Sequence, residues 1–224
     1  MESAKNIAGR VLIAAIGIGL WFGTQSLIAS KTAPASGIGD GVHQLTAPLN
    51  EYLYQNPKIA DGLLIVSSAI IDALAIFILA RWIFGSSVRP LLGFFLLMGL
   101  RQTMQALCSL ATPEGMIWHD PGVPSALVTY GVANDLFFSG HTATAVFAAT
   151  ELARLGKRWL TWLGVVLAVF EASTVLVLRA HYTMDVFTGI IAALYVSHLA
   201  ERLGHFVDRR VLKASTETPM QLQP

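Results

Sequence analysis

Charged residues and cysteines are scarce in this sequence, and each shortage excludes a class of protein. Only 13% of the 224 residues are charged, whereas 54% are hydrophobic and the mean hydropathy is +0.59. A soluble domain needs far less apolar surface than this. The lone cysteine, Cys108, excludes an intrachain disulfide. A net charge of +1 without a long basic run argues against nucleic acid as a partner. The composition therefore predicts an integral membrane protein.

Metal-ligand clusters and internal repeats are missing as well. The six histidines and the single cysteine do not follow the spacing of a zinc site, so neither a metal nor another cofactor is predicted. The polar end, residues 211–224, has the composition of a disordered tail. We expect one membrane domain over residues 1–210, and a homo-oligomer is compatible with this composition.

Six apolar segments predict membrane helices, since a helix needs about 20 apolar residues to cross the hydrocarbon. The segments are 11–30, 62–80, 90–110, 140–155, 159–178 and 185–203. The first follows Lys5 and Arg10 in the manner of a signal peptide, but its apolar stretch is longer than a usual signal core, which favours a retained helix. The predicted fold class is all-α, a polytopic bundle of six transmembrane helices.

Lysine and arginine are unevenly distributed between the segments. Eleven of the fifteen lie near the N-terminus, in the loops 81–89 and 154–158, or from residue 202 onward. Positive loops stay cytoplasmic. Both termini are therefore predicted to be cytoplasmic, with the loops 31–61, 111–139 and 179–184 on the extracytoplasmic side.

The stretch "FFSGHTATAVF" places polar residues at the start of the fourth segment. Ser139 is a candidate N-cap for a helix that begins near Gly140, and the free N–H groups of the first turn would attract an anion. Gly140 would let a ligand approach the backbone. His141 would then stand beside a bound phosphate and exchange protons with it. A capped interfacial helix with no catalytic role is the alternative for this motif alone.

The stretch "RAHYTMD" carries a second histidine to the same predicted side of the membrane. His181 and Asp185 are four residues apart, so in a helical turn the carboxylate would hold the Nδ1–H of the ring and leave Nε2 as a nucleophile or base. A structural hydrogen bond is the alternative for this pair. The two motifs together predict a shared catalytic site.

Ionisable residues inside the predicted helices are costly and are usually functional or paired. Asp72 and Arg101 each lie in the middle of a segment, and a buried Asp72–Arg101 pair is the favoured interpretation. Arg101 would otherwise reach a phosphate. Glu151 and Glu171 lie about 15 Å inside the helices that carry the motifs, so we expect both to be structural.

The paired motifs resemble the sphingomyelin synthase branch of the phosphatidic acid phosphatase type 2 superfamily, and within it the plant phosphatidylcholine:diacylglycerol cholinephosphotransferases. The residues that carry the resemblance are "LATPEG" at 110–115, "FFSGH" at 137–141 and "RAHYTMD" at 179–185. The resemblance covers roughly residues 89–195, and the first 60 residues match no known pattern. It implies a six-helix fold of the phosphatase type 2 kind.

The resemblance also implies roles for individual residues. His181 would be the nucleophile, Asp185 its orienting carboxylate, and His141 the acid and base for the leaving and accepting hydroxyls. Apart from the resemblance, the candidates from the sequence for binding phosphate and substrate are Ser139, Gly140, Arg179, Tyr182 and Arg101. The implied partners are a phospholipid donor and a diacylglycerol-like acceptor in the membrane, and the implied activity is head-group transfer through a phosphohistidine.

Departures from the phosphatase pattern favour transfer over hydrolysis. Lipid phosphatases carry a lysine, six residues and then Arg-Pro, whereas this chain has Arg81 and Arg89-Pro90 with seven residues between. The arginine that they place six residues before the nucleophile is Val175 here, and Arg179 is the nearest replacement. Fewer cations suit a phosphodiester with one negative charge better than a phosphomonoester with nearly two.

Three other activities remain as alternatives. With water as acceptor, the same residues would make a lipid phosphatase or a phospholipase C-type hydrolase. A serine-histidine intramembrane protease would use Ser139 and His181, but it would need a glycine where Phe137 stands. A transporter or scramblase would not explain why His181 is paired with a carboxylate.

Overall fold

The computed structural model of the chain describes residues 38–128, 130 and 136–216, and all regular secondary structure in this part is α-helical. From Asp40 onward the described residues form one compact unit. The predicted helix 11–30 lies outside the described residues. The helices are α1 (Gly41–Leu45), α2 (Ala47–Gln55), α3 (Pro57–Ile83), α4 (Arg89–Leu107), α5 (Gly140–Ala153), α6 (Arg158–Val177) and α7 (Thr183–Thr216). The last helix thus enters the stretch for which a disordered tail is predicted.

Three of the described helices are long and apolar enough to cross a membrane. They are α3 with a mean hydropathy of 2.6, α6 with 2.0, and the Thr183–Arg209 part of α7 with 1.4. These helices identify the chain as a membrane protein. The predicted segments 90–110 and 140–155 are helical as well, but α5 has only 14 residues. At 1.5 Å per residue α5 is about 21 Å long, shorter than a hydrocarbon core of about 30 Å.

Local sequence signals explain where the helices begin and end. Proline occupies the first turn of α2, α3 and α4, where no N–H is needed. Helix α6 ends in a Schellman motif, in which Ala180 N donates to Val175 O at 2.9 Å. Arg179 takes the left-handed position of that motif with a φ of 53°. A glycine would adopt this φ without strain, so the arginine side chain needs a separate explanation.

Helix α5 lies at the centre of the packing and contacts α3, α4, α6 and α7. Its Ala143, Phe147 and Ala148 are completely buried. Gly164 of α6 packs directly on Ala149, since a Cβ at position 164 would lie 2.8 Å from the Ala149 Cα. Burial on every side explains how a helix too short to span the membrane is held in the bundle.

The helix termini lie at two ends of the bundle, and hydrogen bonds and ion pairs join the helices there. We call "site end" the end that holds the starts of α3, α5 and α7, and "far end" the one that holds the start of α4 and the end of α5. At the far end Arg89 pairs with the buried Glu151, and Arg154 NH2 lies 3.0 Å from Glu201 Oε2. Between the ends, Ser67 Oγ donates to the buried Glu171 at 2.6 Å. Both glutamates therefore join helices, in agreement with their predicted structural roles.

Candidate active site

The two motif histidines lie in the wall of one cavity. It has a volume of about 100 Å³ and is lined by His141 and His181 together with Arg101 and Gly140. His141 is 8% exposed and His181 is 6% exposed, so packing holds both rings. The cavity joins residues forty positions apart in sequence, as the paired motifs predict.

The His181–Asp185 pair is close but is not a hydrogen bond. His181 precedes the first residue of α7, so the two residues do not share a helical turn. Nδ1 of His181 and Oδ2 of Asp185 are 3.7 Å apart, which is ion-pair distance and too long for a hydrogen bond. The same Oδ2 accepts from Tyr182 N at 2.9 Å and so caps the helix. The carboxylate is fully buried and faces Nδ1, which leaves Nε2 of His181 for chemistry.

The serine of the first motif caps its helix, as predicted. Oγ of Ser139 accepts from Thr142 N at 3.4 Å, and α5 begins at Gly140. Ser139 is completely buried and is not among the residues that line the cavity. Its own N–H donates to Asp185 O at 3.2 Å. Ser139 therefore joins the two motifs through their backbones, and its burial argues against the protease alternative.

Arg101 lies against the glycine of the same motif. Its Nε donates to Phe138 O at 3.0 Å, and a Cβ at position 140 would lie 2.9 Å from that nitrogen. Gly140 thus lets the guanidinium of Arg101 approach the backbone. The sequence predicted that a ligand would approach at this position instead. The expected Asp72–Arg101 pair is wrong. Asp72 accepts hydrogen bonds from residues 125–127 instead, because this non-helical backbone needs acceptors inside the protein.

Arg179 and Tyr182 are not brought to the cavity wall. NH1 of Arg179 donates to Glu114 O at 2.6 Å, which explains an arginine at a position that favours glycine. The Tyr182 hydroxyl donates to Ala111 O at 3.0 Å. Burial, together with the charges of Asp185 and Asp40, raises the pKa of Tyr182. Both side chains hold the loop that follows α4 against the start of α7.

Two residues that the motifs do not include support the second histidine. Asp40 accepts from Thr183 N at 2.6 Å and from Thr183 Oγ1 at 2.7 Å, while it also caps α1. Nε2 of His43 donates to His181 O at 2.9 Å. Burial alone would raise the pKa of Asp40, but the hydrogen bonds from Thr183 and His43 lower it overall. Sequence spacing could not reveal the bond of His43 to the His181 carbonyl, because the two residues are 138 positions apart.

The loop between α4 and α5 supplies much of the cavity wall. Met116, Trp118, Leu127 and Val128 line it, and the Trp118 ring meets His141 edge-on at 5.2 Å between centroids. Tyr130 also packs on Trp118, with 5.1 Å between the ring centroids. The described part of the loop therefore covers the site. Glu114 and the loop acid Asp120 do not line the cavity, and Asp135 lies outside the described residues.

The arrangement places two histidines and an arginine around one small space. Nε2 of His141 is buried and has no hydrogen-bond partner among the described residues. Such a nitrogen can exchange a proton with a bound oxygen. Within the described part of the chain, no three His, Cys, Asp or Glu side chains are grouped so that they could hold a metal ion.

Comparison with known proteins gives two matches. A model of the family described as AtPDCT1/2 matches residues 40–202. Phosphatidylcholine:diacylglycerol cholinephosphotransferase 1 from Arabidopsis thaliana is 23% identical over 168 residues, which cover 75% of this chain and 54% of that protein. The chain thus spans about half the length of this curated relative. No solved structure matches. The family match begins at Asp40, well before the stretch 89–195 to which the motif resemblance extends.

Proposed function

The chain belongs to the AtPDCT1/2 family, and we propose that it transfers a phospho-head group between lipid hydroxyls in the membrane. The observation that supports this most directly is the single cavity that His141, His181 and Arg101 line together. The donor would be a phospholipid and the acceptor a diacylglycerol-like lipid. The name of the Arabidopsis relative states the same class of reaction for that protein.

The proposed reaction has two halves. In the first, Nε2 of His181 attacks phosphorus, the bond between phosphorus and the diglyceride oxygen breaks, and His141 protonates that oxygen. In the second, His141 takes the proton of the acceptor hydroxyl, whose oxygen attacks phosphorus and releases His181. Asp185 stabilises the positive charge that develops on His181. Both protons pass through His141, so the cycle balances without a metal.

The cations around the cavity favour a diester substrate. Of the lysines and arginines that the structure describes, Arg101 lines the cavity, whereas Arg179 donates to the Glu114 carbonyl. The free N–H groups at the start of α5 add partial positive charge. A phosphomonoester with nearly two charges would need several cations. One guanidinium and one helix N-terminus suit the single charge of a phosphodiester.

The finer placement of the chain is also a proposal. We infer a six-helix bundle of the phosphatidic acid phosphatase type 2 kind, related to the sphingomyelin synthase branch, with both termini cytoplasmic. The support is the resemblance of the motifs and the basic residues at the far end, which include Arg89, Arg154 and Arg158. The site end would then face the extracytoplasmic side.

The function is tested with purified protein in lipid nanodiscs that contain a phospholipid labelled in its head group and diacylglycerol. We expect more exchanged phospholipid than free phosphoalcohol by mass spectrometry. His181→Gln is the matched control, because it removes the nucleophile and keeps a polar side chain of similar size. Rapid dephosphorylation of phosphatidic acid, with no exchange by any donor and acceptor pair, would establish the hydrolase alternative in its place.

The orientation is tested by thiol labelling in a Cys108→Ser background, since Cys108 is exposed. Thr112→Cys at the site end and Arg158→Cys at the far end place single thiols at exposed positions. With a membrane-impermeant reagent on intact cells, we expect labelling at 112 and none at 158. The reverse pattern would overturn the proposed orientation while leaving the proposed chemistry untouched.

A further inference from the structure

One non-helical stretch of the site-end loop runs alongside α3 instead of staying at its end. Nε2 of His119 lies 2.7 Å from Asp61 Oδ1 near the start of α3, and Ser125 bonds to Asp72 near its middle. The two acids are eleven positions apart on α3, which is roughly 16 Å along a helix. We call residues 119–128 the inserted segment. It descends beside a membrane-spanning helix to about half the length of that helix.

Asp72 supplies the acceptors that this backbone needs at that depth. Its carboxylate accepts from Ser125 Oγ at 3.0 Å, from Ala126 N at 2.9 Å and from Leu127 N at 3.0 Å. Non-helical backbone inside a membrane is tolerated only where its polar groups are satisfied by the protein or face a cavity. A carboxylate can accept all these bonds at once, whereas an asparagine would turn an NH2 group toward at least one of the donors.

The residues that Asp72 holds form part of the cavity wall. Leu127 and Val128 both line the cavity of His141 and His181. That cavity is about 100 Å³, whereas pockets for whole small molecules are about 300–1,000 Å³. A phosphate fits in it, but a head group with its glycerol backbone does not. A lipid with its head group therefore needs more room beside the histidines than this volume offers, and movement of part of the wall would supply that room.

The inserted segment is the part of the wall best suited to move. Most of the other lining residues belong to helices or adjoin backbone that is joined to them; Met116 and Trp118, for example, flank Ile117, whose N–H donates to Leu178 O at 2.8 Å. The inserted segment is joined to α3 by side-chain hydrogen bonds at Asp61 and at Asp72. Hydrogen bonds of this kind can be exchanged for water without disrupting a helix.

We propose that Asp72 is a latch that holds the inserted segment closed over the His141 and His181 cavity. When the latch releases, the segment opens for lipid; when it forms again, Leu127 and Val128 exclude water from the reaction. Asp72 is a positioning residue and does not contact the reacting atoms. The effect on the reaction rests on the proposed function, but the closed position of the segment does not, and the two are tested separately.

The closed position is tested by labelling Val128→Cys in nanodiscs, again in the Cys108→Ser background. Val128 is 9% exposed, so a small water-soluble thiol reagent should react slowly. Asp72→Asn should raise the labelling rate about tenfold, the effect expected from losing a hydrogen bond to a charged acceptor. Asp61→Asn is the matched control, since it makes the same change on the same helix, at a pair with His119 in which both side chains are exposed. We expect a change of less than about twofold there.

A weaker variant covers the case in which Asp72→Asn does not fold. Ser125→Ala removes one donor from the latch and keeps the charge of Asp72, so labelling should rise about threefold. An unchanged labelling rate in both variants, or an equal rise in Asp61→Asn, would overturn the latch.

The effect on the reaction is measured as the partition between the two acceptors. In Asp72→Asn the ratio of free phosphoalcohol to exchanged phospholipid should rise about fivefold, because a lid that opens more often admits water. A variant that loses rate but keeps this ratio would contradict the latch and indicate simple misfolding. If the unsubstituted protein exchanges no head groups at all, the proposed function fails, and the labelling of position 128 still decides whether Asp72 closes the segment.

Discussion

The two ends of the helix bundle use their charged side chains differently. At the far end acids and bases neutralise each other, as Arg89 does with Glu151 and Arg154 with Glu201. At the site end, Asp40 accepts from a backbone N–H group and Arg179 donates to a backbone carbonyl, and near the middle of α3 Asp72 accepts from backbone N–H groups as well. A buried ion pair is neutral overall and joins one helix to another, whereas a charged group bonded to the backbone holds a loop or a helix start in place. The far end therefore joins helix to helix, while the site end uses its charges to fix the chain segments around the cavity.

One ion pair at the site end is exposed to solvent, and it does not change this difference between the two ends. His119 pairs with Asp61, and both side chains are well exposed, at 52% and 38%. An exposed pair of this kind contributes little to stability. Among the described residues, the buried pair of Arg89 with the completely buried Glu151 is at the far end, whereas the buried pair at the site end joins Asp185 to His181.

The largest expected effect is at the acid of the candidate site. Asp185→Asn should keep the helix cap at Tyr182 N and lower transfer by about two orders of magnitude, because an amide cannot stabilise a charged imidazole. The check is the initial rate in nanodiscs, with folded fraction measured by size-exclusion chromatography. Near-normal turnover would mean that His181 does not do the chemistry and that the site end does not differ in kind from the far end.

At the far end we expect a loss of stability without a loss of chemistry. Glu151→Gln leaves Arg89 charged and unpaired, which should destabilise the fold by about 3 kcal/mol or more. Unfolding in detergent measures this change, while the rate per folded molecule should stay within about twofold. The double variant Arg89→Gln with Glu151→Gln should recover part of the stability. A selective loss of rate would show that the two ends are not separate in function.

A smaller effect is expected where Arg101 meets the backbone. Gly140→Ala adds a Cβ 2.9 Å from Arg101 Nε, so the guanidinium must shift away from the cavity. Transfer should fall about tenfold through weaker binding of the donor phosphate, which appears as a higher KM. Gly189→Ala is a control of similar crowding, since its Cβ would meet Ser139 O at 2.9 Å but not Arg101. Equal losses in KM for both variants would contradict a phosphate-binding role for Arg101.

The smallest expected effect is the loss of folding stability at low pH. The pKa of Asp40 is lowered in the folded chain, so its contribution to stability is present above the ordinary pKa of 3.8 and is lost as the pH falls below it. Melting temperatures measured down to about pH 3 should show this loss, and Asp40→Asn should flatten that part of the curve. Glu51→Gln is a control on α2, because that acid bonds only locally to Gln55. If the melting temperature still falls at low pH in Asp40→Asn as it does in the unsubstituted protein, Asp40 does not stabilise the chain beside His181.

Local patterns predicted the helices well because their signals lie within a few residues. The apolar runs 62–80 and 159–178 became α3 and α6, and Ser139 caps α5 at the predicted residue. The paired motifs also predicted that His141 and His181 share a site. The six-helix count went further than the described helices support, because α5 is short and packs on every side instead of spanning hydrocarbon alone.

The partners of single charges were not predictable in the same way. The positions of Asp72 and Arg101 within apolar segments favoured a pair between them, and no local spacing connects His43 to a partner. In the structure each bonds to a residue or backbone group that no spacing rule connects to it, such as the carbonyl of His181 for His43. A charged side chain can bond to many different groups in a folded protein, so sequence spacing alone does not identify its partner.

By itself, the sequence determined that this chain enters a membrane as helices and that two histidine motifs begin at the same end. Both properties are local, since a backbone in lipid must bond within its own segment and charge on short loops orients it. Only the tertiary structure decided that Asp40 would support Thr183 and that Asp72 would hold the inserted segment over the site. Those bonds join residues 143 and 53 positions apart, and such contacts form only where the packing of the helices brings the two chain segments together.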